Sequence, residues 1–308
     1  MNDTPVVSIN NLTKTIKGKK IIDDLSFEIF PGEVFGFLGP NGAGKTTTIR
    51  MLVGLISITE GEVIIKGKNV AKNFEEAVSE IGAIVENPEM YKFLTGYQNL
   101  VHYARMVNEV TKQRINEVVE LVGLSDRIHE KVRTYSLGMR QRLGLAQALL
   151  HSPSVLILDE PTNGLDPAGI REIRDYLRRL AAEEGLAVIV SSHLLSEMEL
   201  MCDRIGIIQQ GKLIGVQTVN DFVNGEKELL IRFQVDDHEL ANGVLKEHYP
   251  NKKFKINGEI IEVALEKEEI PELNELLVNN NVKVYGIGQT SKTLEDKFLE
   301  VTGGEKIV

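Results

Sequence analysis

Three stretches of the chain are apolar without alternation: Val34-Phe35-Gly36-Phe37-Leu38, Val155-Leu156-Ile157-Leu158 and Ala187-Val188-Ile189-Val190. A strand with one wet face alternates apolar and polar positions. Short unbroken runs therefore predict strands buried on both faces, as in a parallel sheet covered by helices. Elsewhere the spacing becomes helical. Leu143, Ala146 and Leu150, with Leu145 and Leu149 alongside, mark one helix, and Ile170, Ile173, Leu177 and Leu180 mark another that ends near Gly185. Gly96 to Glu109 and Lys112 to Val122 predict two more, inside a helical insert running from about residue 88 to about residue 151.

After Gly225 the pattern changes. Leu229, Ile231, Phe233 and Val235 alternate as a half-buried strand, and residues 238 to 248 suit a helix. Lys252 to Leu265 reads as two strands around Asn257-Gly258, a strong hairpin turn. A helix near Glu268 to Asn279, a strand near Val282 to Ile287 and a helix near Leu294 to Val301 complete a βαββαβ-like order. The expected organisation is an α/β domain over residues 1–224 and a small α+β domain over residues 225–308. The second carries no catalytic constellation and reads as a regulatory or interface domain, or as a stabilising appendage.

The length of 308 residues permits two domains with sizeable cores. Net charge is −10, of which −6 falls from Glu226 onward, so there is no basic stripe and no nucleic-acid partner is expected. No apolar run approaches the roughly 18 residues of a membrane helix, and no secretion leader is expected at Met1. The single cysteine, Cys202, reads as core packing, which fits a reducing cytoplasm.

Candidate chemistry begins after the first apolar run. Gly39-Pro40-Asn41-Gly42-Ala43-Gly44-Lys45-Thr46-Thr47 matches GxxxxGK[ST] and opens a helix expected over Thr46 to Leu55. The glycines let the backbone turn its N–H groups inward onto phosphate oxygens, Lys45 adds a point charge, and Thr46 offers a hydroxyl to Mg²⁺. The second apolar run ends in Asp159-Glu160. Adjacent side chains at a strand end point to opposite sides. Asp159 is thus expected on the metal side and Glu160 as the general base for an attacking water.

Tyr135-Ser136-Leu137-Gly138-Met139-Arg140-Gln141-Arg142 opens a helix with Ser136 as N-cap. With this segment the chain resembles ABC-type ATPases, whose signature loop is usually LSGGQ followed by a basic residue, Gln and Arg. Ser136 and Gly138 stand; Tyr135, Leu137 and Met139 depart from it. The resemblance implies a P-loop NTPase fold of ABC ATPase type, with ATP and Mg²⁺ as cofactors. It places Asp166, in Asn163-Gly164-Leu165-Asp166, at a subunit interface, and His193, after Ser191-Ser192, against the γ-phosphate. It also implies that Ser136, Gly138 and Met139 act in trans, so one P-loop and one signature per chain call for a head-to-tail dimer, expected as a homodimer.

Two positions depart further from the family. Where it has a metal-touching glutamine this chain has Glu86, which with the following Asn87-Pro88 resembles the subgroup that exports or confers immunity to bacitracin and lantibiotic peptides. A carboxylate there is a harder ligand for Mg²⁺. The slot of the base-stacking aromatic holds Ile16, which forgoes about 1 kcal/mol of stacking and predicts that GTP competes with ATP. The resemblance implies an ATPase subunit of an exporter, peripheral on the cytoplasmic face of the membrane beneath a separate multi-spanning permease. Met90-Tyr91-Lys92-Phe93-Leu94 would receive the permease or pack the insert's own core. The alternatives are a soluble ABC ATPase, which would usually show a coiled-coil insertion or tandem P-loops, and a nucleotide sensor without turnover, against which Glu160 argues. A GTPase would need NKxD, and Asn251-Lys252-Lys253-Phe254 lacks the Asp.

Overall fold

The computed structural model describes residues 4–107, 110–192, 194–224, 229–250, 252–289 and 293–302. The described chain divides into two compact units, Met1–Val219 with Thr302–Val308, and Asn220–Val301.

The first unit opens with β1 (Val7–Ile16), β2 (Lys19–Ile29), β3 (Val34–Leu38), α1 (Lys45–Leu52), β4 (Glu60–Ile65), β5 (Lys68–Asn69), α2 (Phe74–Val78) and β6 (Ile81–Ile84). The insert follows as α3 (Gly96–Ala104), α4 (Lys112–Leu121) and α5 (Leu137–Leu149). The unit continues through β7 (Val155–Asp159), α6 (Pro167–Glu184), β8 (Ala187–Ser191), α7 (Leu195–Met201), β9 (Arg204–Gln209) and β10 (Lys212–Thr218), and α8 (Val219–Asn224) comes next. Helix starts are set locally. Thr95 and Gln98 form a capping box on α3, and Thr111, Ser136 and Asp166 cap α4, α5 and α6, each cap worth about 1 kcal/mol.

Two sheets form this unit. One is antiparallel, in the order β2-β1-β4-β5; the other has six strands in the order β10-β9-β3-β8-β7-β6. In the larger sheet β6, β7, β8, β3 and β9 pair in parallel and β10 is antiparallel at the edge. Every residue of β3, β7 and β8 is buried, which is why their sequences do not alternate. Phe27 of the antiparallel sheet stacks on Phe35 and Phe37 of β3, at centroid separations of 5.4 and 5.7 Å. These rings join the two sheets in one core and add about 0.5–1.5 kcal/mol per pair beyond the area they bury.

The second unit holds β11 (Leu229–Val235), α9 (His238–His248), β12 (Phe254–Asn257), β13 (Ile260–Leu265), α10 (Glu269–Asn279), β14 (Val284–Gln289) and α11 (Leu294–Val301). Its antiparallel sheet runs β12-β13-β11-β14. Ile231, Phe233, Val235, Ile261, Val263 and Leu265 meet Ala241, Leu245, Leu273 and Leu277 of α9 and α10 in a separate core.

Candidate functional site

β3 sits between β8 and β9, and the chain leaves its C-terminal end through Gly39 to enter α1 at Gly44. A Cβ on Gly39 would lie 2.3 Å from the Ile208 carbonyl oxygen, so no other residue fits that approach. Gly44 has φ 114°, and a Cβ there would lie 2.3 Å from Ile22 Cδ1. As N-cap of α1, Gly44 contributes no side-chain acceptor, so the first-turn amides are available to an anion.

Lys45 is buried, with the residue 7% exposed. Its Nζ donates to the carbonyl oxygens of Gly39 at 2.6 Å and Pro40 at 3.4 Å. Burial pushes its pKa below the ordinary lysine value, and the nearby carboxylates of Glu160 and Asp159 push the other way. A desolvated cation whose hydrogen bonds, among the described residues, go to loop carbonyls is suited to phosphate oxygens, which supply the same acceptor atoms with charge. Thr46 is half-buried on the first turn of α1.

Asp159 ends β7 and is 4% exposed. The Ser191 hydroxyl, at the end of β8, donates to Asp159 Oδ1 at 2.5 Å. Glu160 lies past the strand with φ 53°, and its N–H is shared between the Ser191 carbonyl at 3.1 Å and Ser191 Oγ at 3.3 Å. The left-handed turn, rather than strand alternation, therefore sets the direction of the Glu160 side chain. Such a backbone costs a glutamate on the order of 1–3 kcal/mol.

Glu86 follows β6, also left-handed at φ 69°, and is exposed. Arg50, in the last turn of α1, donates from Nη2 to Glu86 Oε1 at 2.5 Å. Ile16, the last residue of β1, is 44% exposed. Just beyond Glu86, Tyr91 and Phe93 are exposed, and Tyr91 packs on Phe93 and His102 with ring centroids 5.8 and 5.1 Å apart.

At the start of α5, Ser136 Oγ accepts the Met139 N–H at 3.2 Å. Tyr135 is buried, and its hydroxyl donates to the Arg127 carbonyl at 2.7 Å, a partner that a leucine there could not reach. The loop before α6 packs on this turn: a Cβ on Gly164 would lie 3.0 Å from Leu137 Cδ2, and one on Gly138 would lie 3.8 Å from Leu165 Cδ2. Asp166 caps α6, its Oδ1 accepting the Gly169 N–H at 2.9 Å.

The structure thus gathers Lys45, Asp159 and Glu160 into one electrostatic neighbourhood. Ser136 and Asp166 bond within their own loops, and Glu86 bonds to Arg50. His193 lies outside the described residues. Two participants were not singled out from the sequence. Ser191 could have been noticed as the polar residue closing an apolar run; Arg50 carried no signal.

A model of the ABC transporter family matches residues 22–163. An uncharacterized ABC transporter ATP-binding protein, YhcH, of Bacillus subtilis (strain 168) is 61% identical over 301 residues, 98% of this chain and 97% of that protein. The bacitracin transport ATP-binding protein BcrA of Bacillus licheniformis is 41% identical over 303 residues, 98% of this chain and 99% of that protein. A solved structure described as the ATP binding subunit of an ABC transporter superposes with a TM-score of 0.64 at 26% identity, covering 71% of this chain and 92% of that one.

Proposed function

Because this chain belongs to the ABC transporter ATP-binding proteins, we propose that it hydrolyses ATP to drive a separate multi-spanning permease, working as a homodimer on the cytoplasmic face of the membrane and exporting a peptide antibiotic of bacitracin or lantibiotic type. The observation that carries the ATPase reading is the convergence of buried Lys45, which opens α1 after the loop that follows β3, with Asp159 and Glu160, at the end of β7. Lys45 exchanges its loop carbonyls for the outer phosphates of ATP, and the N–H groups of the Gly39–Thr47 loop hold the rest, apart from Pro40, which has none, and Ala43, whose N–H goes to the Pro40 carbonyl. Thr46 and Asp159 hold the metal side, with Glu86 as a further carboxylate. Mg²⁺, when bound, neutralises charge on the outer phosphates. Glu160 accepts the proton of the water that attacks the γ-phosphorus as the bond to the β-phosphate oxygen breaks. Fit to Mg²⁺ is supported by the donor set, a hydroxyl and a carboxylate that leave the remaining positions to phosphates and water.

The second copy brings Ser136, Gly138 and Met139 and the N-terminal end of its α5 to the same γ-phosphate, with Asp166 and His193 completing the shared site. Exposed Tyr91 and Phe93 beside Glu86 support permease docking on that face. Among the described residues no helix is long and apolar enough to cross a membrane, so the transport path belongs to the partner in this reading. The likeness to the bacitracin transport ATP-binding protein, over nearly the whole of both chains, supports the cargo class.

The test is purification of the tagged chain from detergent-solubilised membranes of its own host, together with the bacitracin susceptibility of a deletion strain. Stoichiometric recovery of a multi-spanning protein and raised susceptibility are expected. A purely soluble complex would overturn the transport reading.

A further inference from the structure

β8 lies between the strand that carries the phosphate loop and the strand that carries the acid pair. In that register Ser191 is the partner of Phe37 on one side and of Asp159 on the other. It is 0% exposed, so its hydroxyl has no bulk water to turn to. Oγ donates to Asp159 Oδ1 at 2.5 Å and receives the Glu160 N–H at 3.3 Å, while the Ser191 carbonyl receives the same N–H at 3.1 Å. One residue therefore fixes the carboxylate rotamer of Asp159 and the left-handed backbone of Glu160 at φ 53°.

We propose that Ser191 is a positioning residue for ATP hydrolysis: it locks Asp159 so that Oδ2 faces the metal side and holds the turn that aims Glu160 at the water. The inference rests on the roles given above to Asp159 and Glu160 and adds the group that ties them together. A hydroxyl is suited to this position because it donates to a carboxylate and accepts from an amide at once. Alanine keeps the strand and its backbone bond to Glu160 but leaves Asp159 Oδ1 without its donor. Outer groups of this kind typically change metal affinity or activity by about 10–100-fold.

The experiment uses the full chain as wild type, Ser191→Ala and Ser191→Thr. Affinity for a fluorescent ATP analogue is titrated in EDTA and again across a Mg²⁺ series, and phosphate release is followed separately. For Ser191→Ala we expect analogue affinity in EDTA within about twofold of wild type, a Mg²⁺ requirement raised by about 10–100-fold, and kcat lowered by a similar factor even at saturating Mg²⁺. Ser191→Thr, which keeps the hydroxyl, is expected to restore both. Unchanged Mg²⁺ dependence and kcat in Ser191→Ala overturn the proposal, as does a Ser191→Thr that fails to recover either. Should Ser191→Ala not fold, Ser191→Cys, a weak donor of similar shape, must show the same two losses, and wild-type behaviour in it overturns the proposal. A wild type without Mg²⁺-dependent phosphate release would defeat the ATPase reading itself, whereas the binding series still reads Ser191.

Discussion

Replacing Lys45 by methionine separates what this buried cation does for the fold from what it does for the ligand. The residue is 7% exposed and its ammonium is held by two carbonyl oxygens, at 2.6 and 3.4 Å. Burial lowers its pKa from the ordinary 10.5, against the opposing pull of Glu160 and Asp159. Methionine removes that desolvated charge but leaves the Gly39 carbonyl without its donor, a loss of about 1–3 kcal/mol. The two effects oppose one another, so the ligand-free variant is expected within about 2 kcal/mol of wild type.

Nucleotide binding has no such compensation. Charge-assisted bonds from an ammonium to phosphate contribute about 1.5–3 kcal/mol each, so losing two weakens the Kd for ATP by about 100-fold or more. Denaturation with ligand reads both numbers. At a concentration of about 100 times its Kd, ATP stabilises wild type by about 2.7 kcal/mol; the same concentration stabilises a variant bound 100-fold more weakly by about 0.4 kcal/mol. The pH dependence carries a sign as well. A lysine whose folded pKa is lowered penalises the protonated folded state, so ligand-free wild type gains stability as pH rises from the folded value toward 10.5, and Lys45→Met lacks that gain. A variant that lost more than about 3 kcal/mol without ligand, yet kept its full ATP-induced stabilisation, would refute the reasoning.

Glu160→Gln is expected to lower kcat by about 10²–10⁴-fold while ATP binding persists, and at saturating Mg-ATP it should elute from a sizing column as a dimer; a monomer with confirmed bound nucleotide would count against the shared site. Glu86→Gln removes an exposed ion pair with Arg50 and should change stability by no more than about 1 kcal/mol, but it should shift the Mg²⁺ and Mn²⁺ dependence of turnover. Unaltered metal profiles would exclude Glu86 as a ligand. Cys202 is buried, which raises its thiol pKa far above the ordinary 9.0, with Asp203 adding to the shift and Arg178 opposing it. It should resist thiol reagents until the chain unfolds, and its contribution to stability is present below pH 9 and lost as the unfolded thiol ionises above it; modification at the rate of a free thiol in the native protein would show that the site opens. Ile16 predicts that GTP displaces ATP within about tenfold of ATP's own potency, measured by competition, and a steep ATP preference would remove that reading.

Much of the site was legible because its chemistry is local. The loop from Gly39 to Thr47 carries its phosphate-binding amides, its cation and its hydroxyl within a single turn, and Ser136 meets its acceptor role three residues away. Glu160 was found but not its direction, since alternation on a strand does not extend to a residue past the strand end with φ 53°. Glu86 was found but not its partner, because Arg50 belongs to another element 36 positions earlier. The antiparallel sheet of β1, β2, β4 and β5 was not singled out, although Leu25, Phe27 and Ile29 of β2 alternate with exposed Ser26 and Glu28; in β1, register shifts break the period of two.

What the sequence determined by itself follows from interactions a few residues long: helix caps, a tight hairpin, whose two-residue turn falls at Gly258-Glu259, one position past the expected Asn257-Gly258, the phosphate loop, and the burial on both faces that an unalternating run demands. Strand order was decided only by the tertiary structure. That β8 runs between β3 and β7 brings Ser191 to the Asp159 carboxylate across 32 positions of chain and sets Lys45 in the field of both acids. Each of the three strands is equally apolar, so their pattern specifies depth in the sheet but not neighbour or register; those are selected by backbone pairing and core packing once the whole chain has folded.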